Sequence, residues 1–202
     1  YGNGGGVTAE GAAYSSNEPV FGYVTIEKQK VTAYTEEPEE MAKLPNADYD
    51  GVVEESVTRA VRRKITRQIV NGDGSTGTIK GIFYNPASAT DDVIDRDTDI
   101  SVAAITNTTL DDIIYSYGGD EDVEAVATLI LNKADLKAFA MLRDDKGQKV
   151  YTIVNNGNSG TIDGVPFIIN SACAALSAAA TSANAYCMAY GVLENFELAV
   201  FS

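Results

Sequence analysis

The sequence predicts an α+β fold, and three observations carry the prediction. Residues from about 50 to 70 form one long amphipathic helical pattern that stops at the glycine-rich turn Asn71, Gly72, Asp73, Gly74. Beyond residue 92, short β-branched runs alternate with two capped helical segments, as in a sheet flanked by helices. Hydrophobic residues make up 45% of the 202 positions, enough to bury a core as one large or two small domains.

Taken in order, residues 1 to 22 mix Gly, Ser and Ala with few large apolar groups and are expected to form an extended arm or loop. Tyr23 to Thr35 (YVTIEKQKVTAYT) reads as a half-buried strand. Thr35 then opens EEPEEMAKL, where a cap-like residue, an early proline and acids predict a short helix ended by Leu44, Pro45 and Asn46. In the long helix that follows, Asp48, Asp50, Glu54 and Glu55 precede Arg59, Arg62, Arg63, Lys64 and Arg67. Negative charge near the N-terminus and positive charge near the C-terminus both complement the helix dipole. Val53, Val57, Val61, Ile65 and Ile69 recur every fourth residue with Ala60 beside them, so the apolar stripe spirals slowly round the axis. After the glycine turn, Gly81 to Asn85 is expected as a short strand.

In the second half, Thr109 is read as the cap of LDDIIYSY, a helix stopped at Gly118 and Gly119. Ala125 to Leu131 is a candidate buried strand, and Asn132 caps KADLKAFAMLRD, with Leu136, Phe139, Ala140 and Leu142 on helical spacing. Asp145 to Gly147 makes a turn. Lys149 to Val154, Gly164 to Ile169, Ala185 to Tyr190 and Phe196 to Phe201 are further short strands.

Charge is sorted along the chain. The net charge is −14, yet residues 59 to 67 hold five bases and no acid, while residues 91 to 124 hold eleven acids against Arg96. Such acidity argues against nucleic-acid binding over most of the surface, because a polyanion is repelled. The basic helix is the local exception. It reads either as a solvated face with Glu55 and Arg59 paired at i, i+4, or as a contact for another subunit or an anion. The chain has no histidine, which removes the commonest general base and the Ser/His and Cys/His nucleophile pairs. Cys173 and Cys187 are expected to be packing residues, with a disulfide left open and no partner set for zinc. No apolar run is long enough to span a bilayer, so no membrane partner is expected. The chain opens at Tyr1, not Met, and an upstream segment is expected to be missing.

The chemical motifs fail on inspection. Gly72 to Gly77 has the first part of a phosphate loop, but Thr78 stands where lysine should follow, and the turn comes after a helix instead of before one. Asp95, Asp97 and Asp99 imitate the start of a calcium loop, yet Ile100 and Thr106 occupy the glycine and bidentate acid positions. Asp111 and Asp112 are adjacent and diverge on a helix, so they do not serve one substrate as acid and base. No catalytic group, metal or cofactor is expected.

As an ordered set, the pieces resemble the major capsid proteins of tailed bacteriophages, the Hong Kong 97 fold. The resemblance rests on the strand-like Val31 to Thr35 before a short acidic helix, on the long helix ending in VNGDGSTGTIKGI, on TLDDIIYSY, on TLILNKADL with its helix through LRDDKGQ, and on DGVPFII. Asn132-Lys133 departs from the asparagine and proline often seen in that family. The resemblance implies an E-loop-like returning segment at 1–22, a peripheral domain with a spine helix at 23–92, and a mixed α/β axial domain at 93–202. It also implies a structural subunit that encloses double-stranded DNA in an icosahedral virion shell assembled in the host cytoplasm. The implied partners are further copies in pentamers and hexamers, scaffold, protease and portal proteins, and packaged DNA without sequence preference. Arg59, Arg62, Arg63, Lys64 and Arg67 then become candidate interface or lumen-facing residues.

Family members normally extend further at both ends, so the chain is expected to be a trimmed piece that does not assemble alone. No covalent crosslink between subunits is expected, because the first lysine, Lys28, lies beyond the loop-like segment. Within the same fold, the alternative is an encapsulin-like compartment. Outside it, the alternative is a divalent-cation-binding or carbohydrate-binding surface module, suggested by the acidic turns.

Overall fold

The computed structural model describes residues 30–34, 36, 49–84, 99–118, 126–176 and 186–198. The short helix expected after Thr35 and most of the strand expected at 23–35 lie outside these residues. Residues 30–34 are described and belong to no strand.

Helix α1 (Tyr49–Asn71) spans 23 residues, about 35 Å at 1.5 Å per residue, one residue beyond each end of the expected range. Its stripe residues Val53, Val57, Val61, Ile65 and Ile69 are half-buried, whereas Ala60 is exposed and stands outside the stripe. Deep burial is confined to the last turn, at Gln68 and Val70. The glycine turn then folds back over the helix end. Ile82 and Phe83 donate their amides to the carbonyls of Ile69 and Val70 at 2.7 and 3.0 Å, satisfying acceptors that the helix itself leaves open. This is why Gly81 to Asn85 fails as a strand: residues 81–84 are spent on capping α1, and Asn85 lies outside the described residues. The fold-back needs glycine at two places. A Cβ on Gly81 would sit 2.5 Å from the Gly72 nitrogen and 2.6 Å from the Gln68 oxygen, and one on Gly72 would overlap the Ile79 carbonyl.

The second half is a mixed five-stranded sheet in the order β2-β3-β4-β1-β5, formed by β1 (Thr128–Leu131), β2 (Ile153–Asn156), β3 (Ser159–Ile162), β4 (Val165–Ile169) and β5 (Ala189–Gly191). β1 runs parallel to β4, with Leu129 opposite Phe167, and antiparallel to β5. Strands β2, β3 and β4 form a meander of two tight hairpins. Asp163 (φ +47°) and Gly164 (φ +88°) make the second turn, and positive φ at both central residues marks the type I′ turn that fits strand twist. β3 went unread in the sequence because Ser159 and Gly160 are poor strand formers. Gly160 belongs there because the Phe167 ring of the next strand packs over it.

Helices α2 (Thr109–Tyr115) and α3 (Lys133–Met141) cover one face of this sheet. Leu110, Ile113, Leu136 and Phe139 from the helices meet Leu129, Leu131, Ile162 and Phe167 from the strands in one core, with the Tyr151 ring set edge-on to Phe139 at 5.5 Å. Asn132 caps α3 as expected, accepting from the Ala134 amide at 2.9 Å. Thr109, however, is the first residue of α2, and its hydroxyl accepts from the Thr106 amide at 2.8 Å instead of capping the helix. At the C-terminal end, Leu193–Asn195 is a 3-10 turn and residues 196–198 are not strand.

Ile130 alternates with Leu129 and Leu131, so it faces the other side of the sheet. There it packs with Val70 and Cys173, joined by Ile82 and Phe83. This smaller core docks the end of α1 onto the sheet, and the Asn71 side-chain amide adds a hydrogen bond to the Ala172 carbonyl. Both cysteines are buried free thiols. No helix among the described residues is long and apolar enough to cross a membrane.

Candidate assembly surface

The five bases singled out in the sequence lie on the exposed side of α1. Arg59, Arg63 and Arg67 follow one another at four-residue spacing, in step with Val57, Val61 and Ile65 but on the opposite side of the axis, with Arg62 and Lys64 flanking them. All five side chains are exposed. Arg59 is ion-paired with Glu55 at i, i+4, as expected. Such an exposed pair contributes on the order of 0.3–0.5 kcal/mol. Among the described residues no carboxylate pairs with Arg62, Arg63, Lys64 or Arg67, and the Thr66 hydroxyl bonds to the Arg62 carbonyl, leaving the guanidinium outside that contact.

The glycine turn beside this face is closed to anions. The Gly72, Gly74, Thr78 and Gly81 amides are all used within the turn or on the helix end. Asp73 occupies the centre, accepting from the Ser75 amide at 3.1 Å, the Ser75 hydroxyl at 2.8 Å and the Thr78 hydroxyl. Those bonds, Thr78 first, hold its carboxyl at about 2, below the usual carboxylate range. A phosphate would have to displace a carboxylate that the loop already satisfies.

A second charged group gathers on the sheet lobe. The Tyr151 hydroxyl donates to the carbonyls of Thr106 and Asn107 at 3.1 and 2.7 Å, which sets the start of α2 against residue 151. The next amide, that of Thr152, donates to the Asp163 carboxylate at 2.8 Å. Asp111 and Asp112 on α2 and Asp163 at the β3–β4 turn thus all lie near Tyr151, all three exposed, and among the described residues none is paired with a base. Burial raises the Tyr151 phenol above its ordinary value and the three carboxylates raise it further, against a lowering hydrogen bond from the Leu110 backbone. The sequence reading treated Asp111 and Asp112 only as a failed catalytic pair and missed Asp163. The Asp-Gly dipeptide at 163–164 was the available signal, since it marks a hairpin tip.

Of the aspartates weighed as a cation loop, Asp99 accepts from the Tyr186 hydroxyl at 2.7 Å, while Asp95 and Asp97 lie outside the described residues. Among the described residues no group of three or more Cys, Asp or Glu side chains is placed to hold a metal ion. The open sheet face carries a shallow groove of about 460 Å³ lined by uncharged residues, including Val154, Thr161, Pro166 and Ile168. The described surface thus offers a basic helix, an acidic lobe and a neutral sheet face, which are the parts of a contact between proteins.

Comparison with curated proteins gives no match. The family comparison is decisive: residues 2–196, nearly the whole chain, match the model of the phage capsid family, and the protein belongs to that family as a structural capsid subunit.

Proposed function

We propose that the protein builds an icosahedral shell around double-stranded DNA, with copies set in rings of five and six. The carrying observation is the family match over residues 2–196. The long helix docked by its last turn on a sheet-and-helix lobe supports a Hong Kong 97-like subunit. In that reading, residues 1–22 are a loop laid over a neighbour, 23–92 a peripheral domain and 93–202 an axial domain. Arg59, Arg62, Arg63, Lys64 and Arg67 face a neighbouring subunit or the lumen. Scaffold, protease and portal proteins act with it in the host cytoplasm, where many individually weak contacts add up to a stable shell.

Electron microscopy of the full-length protein, expressed alone and with its neighbouring genes, tests this reading. Closed shells are expected. A monodisperse monomer under every condition would overturn it, and a neighbouring gene for a cargo enzyme in place of portal and terminase genes would replace the DNA with a protein cargo.

A further inference from the structure

The two charged surfaces are complementary, and in the fold neither pairs with the other. Arg62, Arg63, Lys64 and Arg67 stand exposed on α1, and among the described residues only Arg59 of this face is paired, with Glu55. Asp111 and Asp112 stand exposed on α2, whose start the Tyr151 hydroxyl holds, and Asp163 stands exposed at the β3–β4 turn, bonded to the Thr152 amide. The sheet lies between the end of α1 and α2. The end of α1 packs on the Ile130 and Cys173 side, whereas α2 packs on the side of Leu129 and Leu131. A base whose complement lies across the sheet of its own chain can still meet it on a second copy.

We propose that the α1 basic face of one copy docks on the Asp111, Asp112 and Asp163 patch of the next copy. This contact rests on the capsid reading and deepens it by naming two surfaces that meet. Because the patches differ and every copy carries both, the contact is head-to-tail and repeats from copy to copy, closing a ring when the rotation allows. Charge complementarity selects protein over nucleic acid as the occupant. The chain carries a net charge of −14, which repels a polyanion on most approaches but draws in another copy's basic helix.

The test is a charge exchange in the full-length protein, read as particle yield by sedimentation. Arg63→Glu with Arg67→Glu is expected to cut the yield roughly tenfold or more, as is Asp111→Lys with Asp112→Lys, since like charges then face each other. All four changes together are expected to restore the yield to within about twofold, because the exchanged pairs attract again. A milder variant covers the case in which reversal harms folding. Yield of the natural sequence should fall as salt rises from about 0.1 to 1 M, where the screening length shrinks from about 10 to 3 Å, and Arg63→Gln with Arg67→Gln should flatten that dependence.

Normal assembly of either reversed pair would overturn the contact. Defective reversed pairs without rescue by the fourfold exchange would also overturn it, since α1 would then meet some other surface. A natural sequence that forms no particles under any condition would sink the capsid reading itself, and the contact with it.

Discussion

Gly160 lies in the middle of β3, where an added Cβ would collide with the Val154 carbonyl and sit 2.7 Å from Cζ of Phe167. Phe167 is itself buried, so the ring has nowhere to go. Gly160→Val should therefore destabilise the fold by roughly 1–3 kcal/mol in urea unfolding, as overpacking does. Asp73 gives a prediction in pH. Its folded value of about 2 lies below that of an unfolded aspartate, so its contribution to stability is complete above the unfolded value and is lost as pH falls through the folded one. An NMR titration of the Ser75 and Thr78 amide shifts should show a midpoint near 2, and Asp73→Asn should remove the transition. A midpoint near 4 would contradict the bonding described. The thiols give a third. Burial, then the charge of Asp135, pushes Cys173 up to about 12, and the same causes raise Cys187. Neither thiol should react with a thiol reagent at pH 8 until the protein unfolds; prompt labelling of the native protein would count against this packing.

Among the elements, α3 shows how a single cap ties segments together. Asn132 accepts from the Ala134 amide at 2.9 Å and donates to the Cys173 carbonyl at 2.7 Å, while the buried Asp135 accepts from the Leu176 amide at 3.0 Å. Asn132→Ala removes both the cap and the tether, and should cost roughly 1–2 kcal/mol by chemical denaturation, more than a cap alone. The elements legible in the sequence were those set by local chemistry. The glycine stop of α1, the Asn132 cap and the DGVPFII strand all state their structure within a few residues, whereas the bases of α1 end at Arg67, before the last turn where the dipole acts. What was not legible depended on distant partners. β3 is a strand because Phe167 covers Gly160, and residues 81–84 are a cap because the Ile69 and Val70 carbonyls need donors. Thr109 looked like a cap because a threonine stands before LDDIIYSY, yet its hydroxyl is taken by the Thr106 amide. The basic half of the candidate contact was likewise readable from spacing alone, while the acidic half required the fold to bring Asp163 beside α2.

At the scale of the whole molecule, the described residues show a long helix whose last turn is anchored on a sheet. Its last turn is buried against the sheet, and the preceding stripe from Val53 to Ile65 is only half-buried within the chain. A helix within a protein owes most of its stability to the packing of its apolar face. A helix held this way gains most from neighbours, and a structural capsid subunit meets neighbours on several sides. The charge layout agrees: a uniformly acidic subunit would repel its copies, while one carrying a separate basic face can attract them in a fixed orientation. A cryo-electron-microscopy reconstruction of particles formed by the full-length protein tests the shell-subunit role directly. Closed shells are expected, with subunits around five- and six-fold axes, each showing the 49–71 helix joined at its C-terminal end to the five-stranded sheet. Absence of particles, or open filaments with no ring closure, would contradict it.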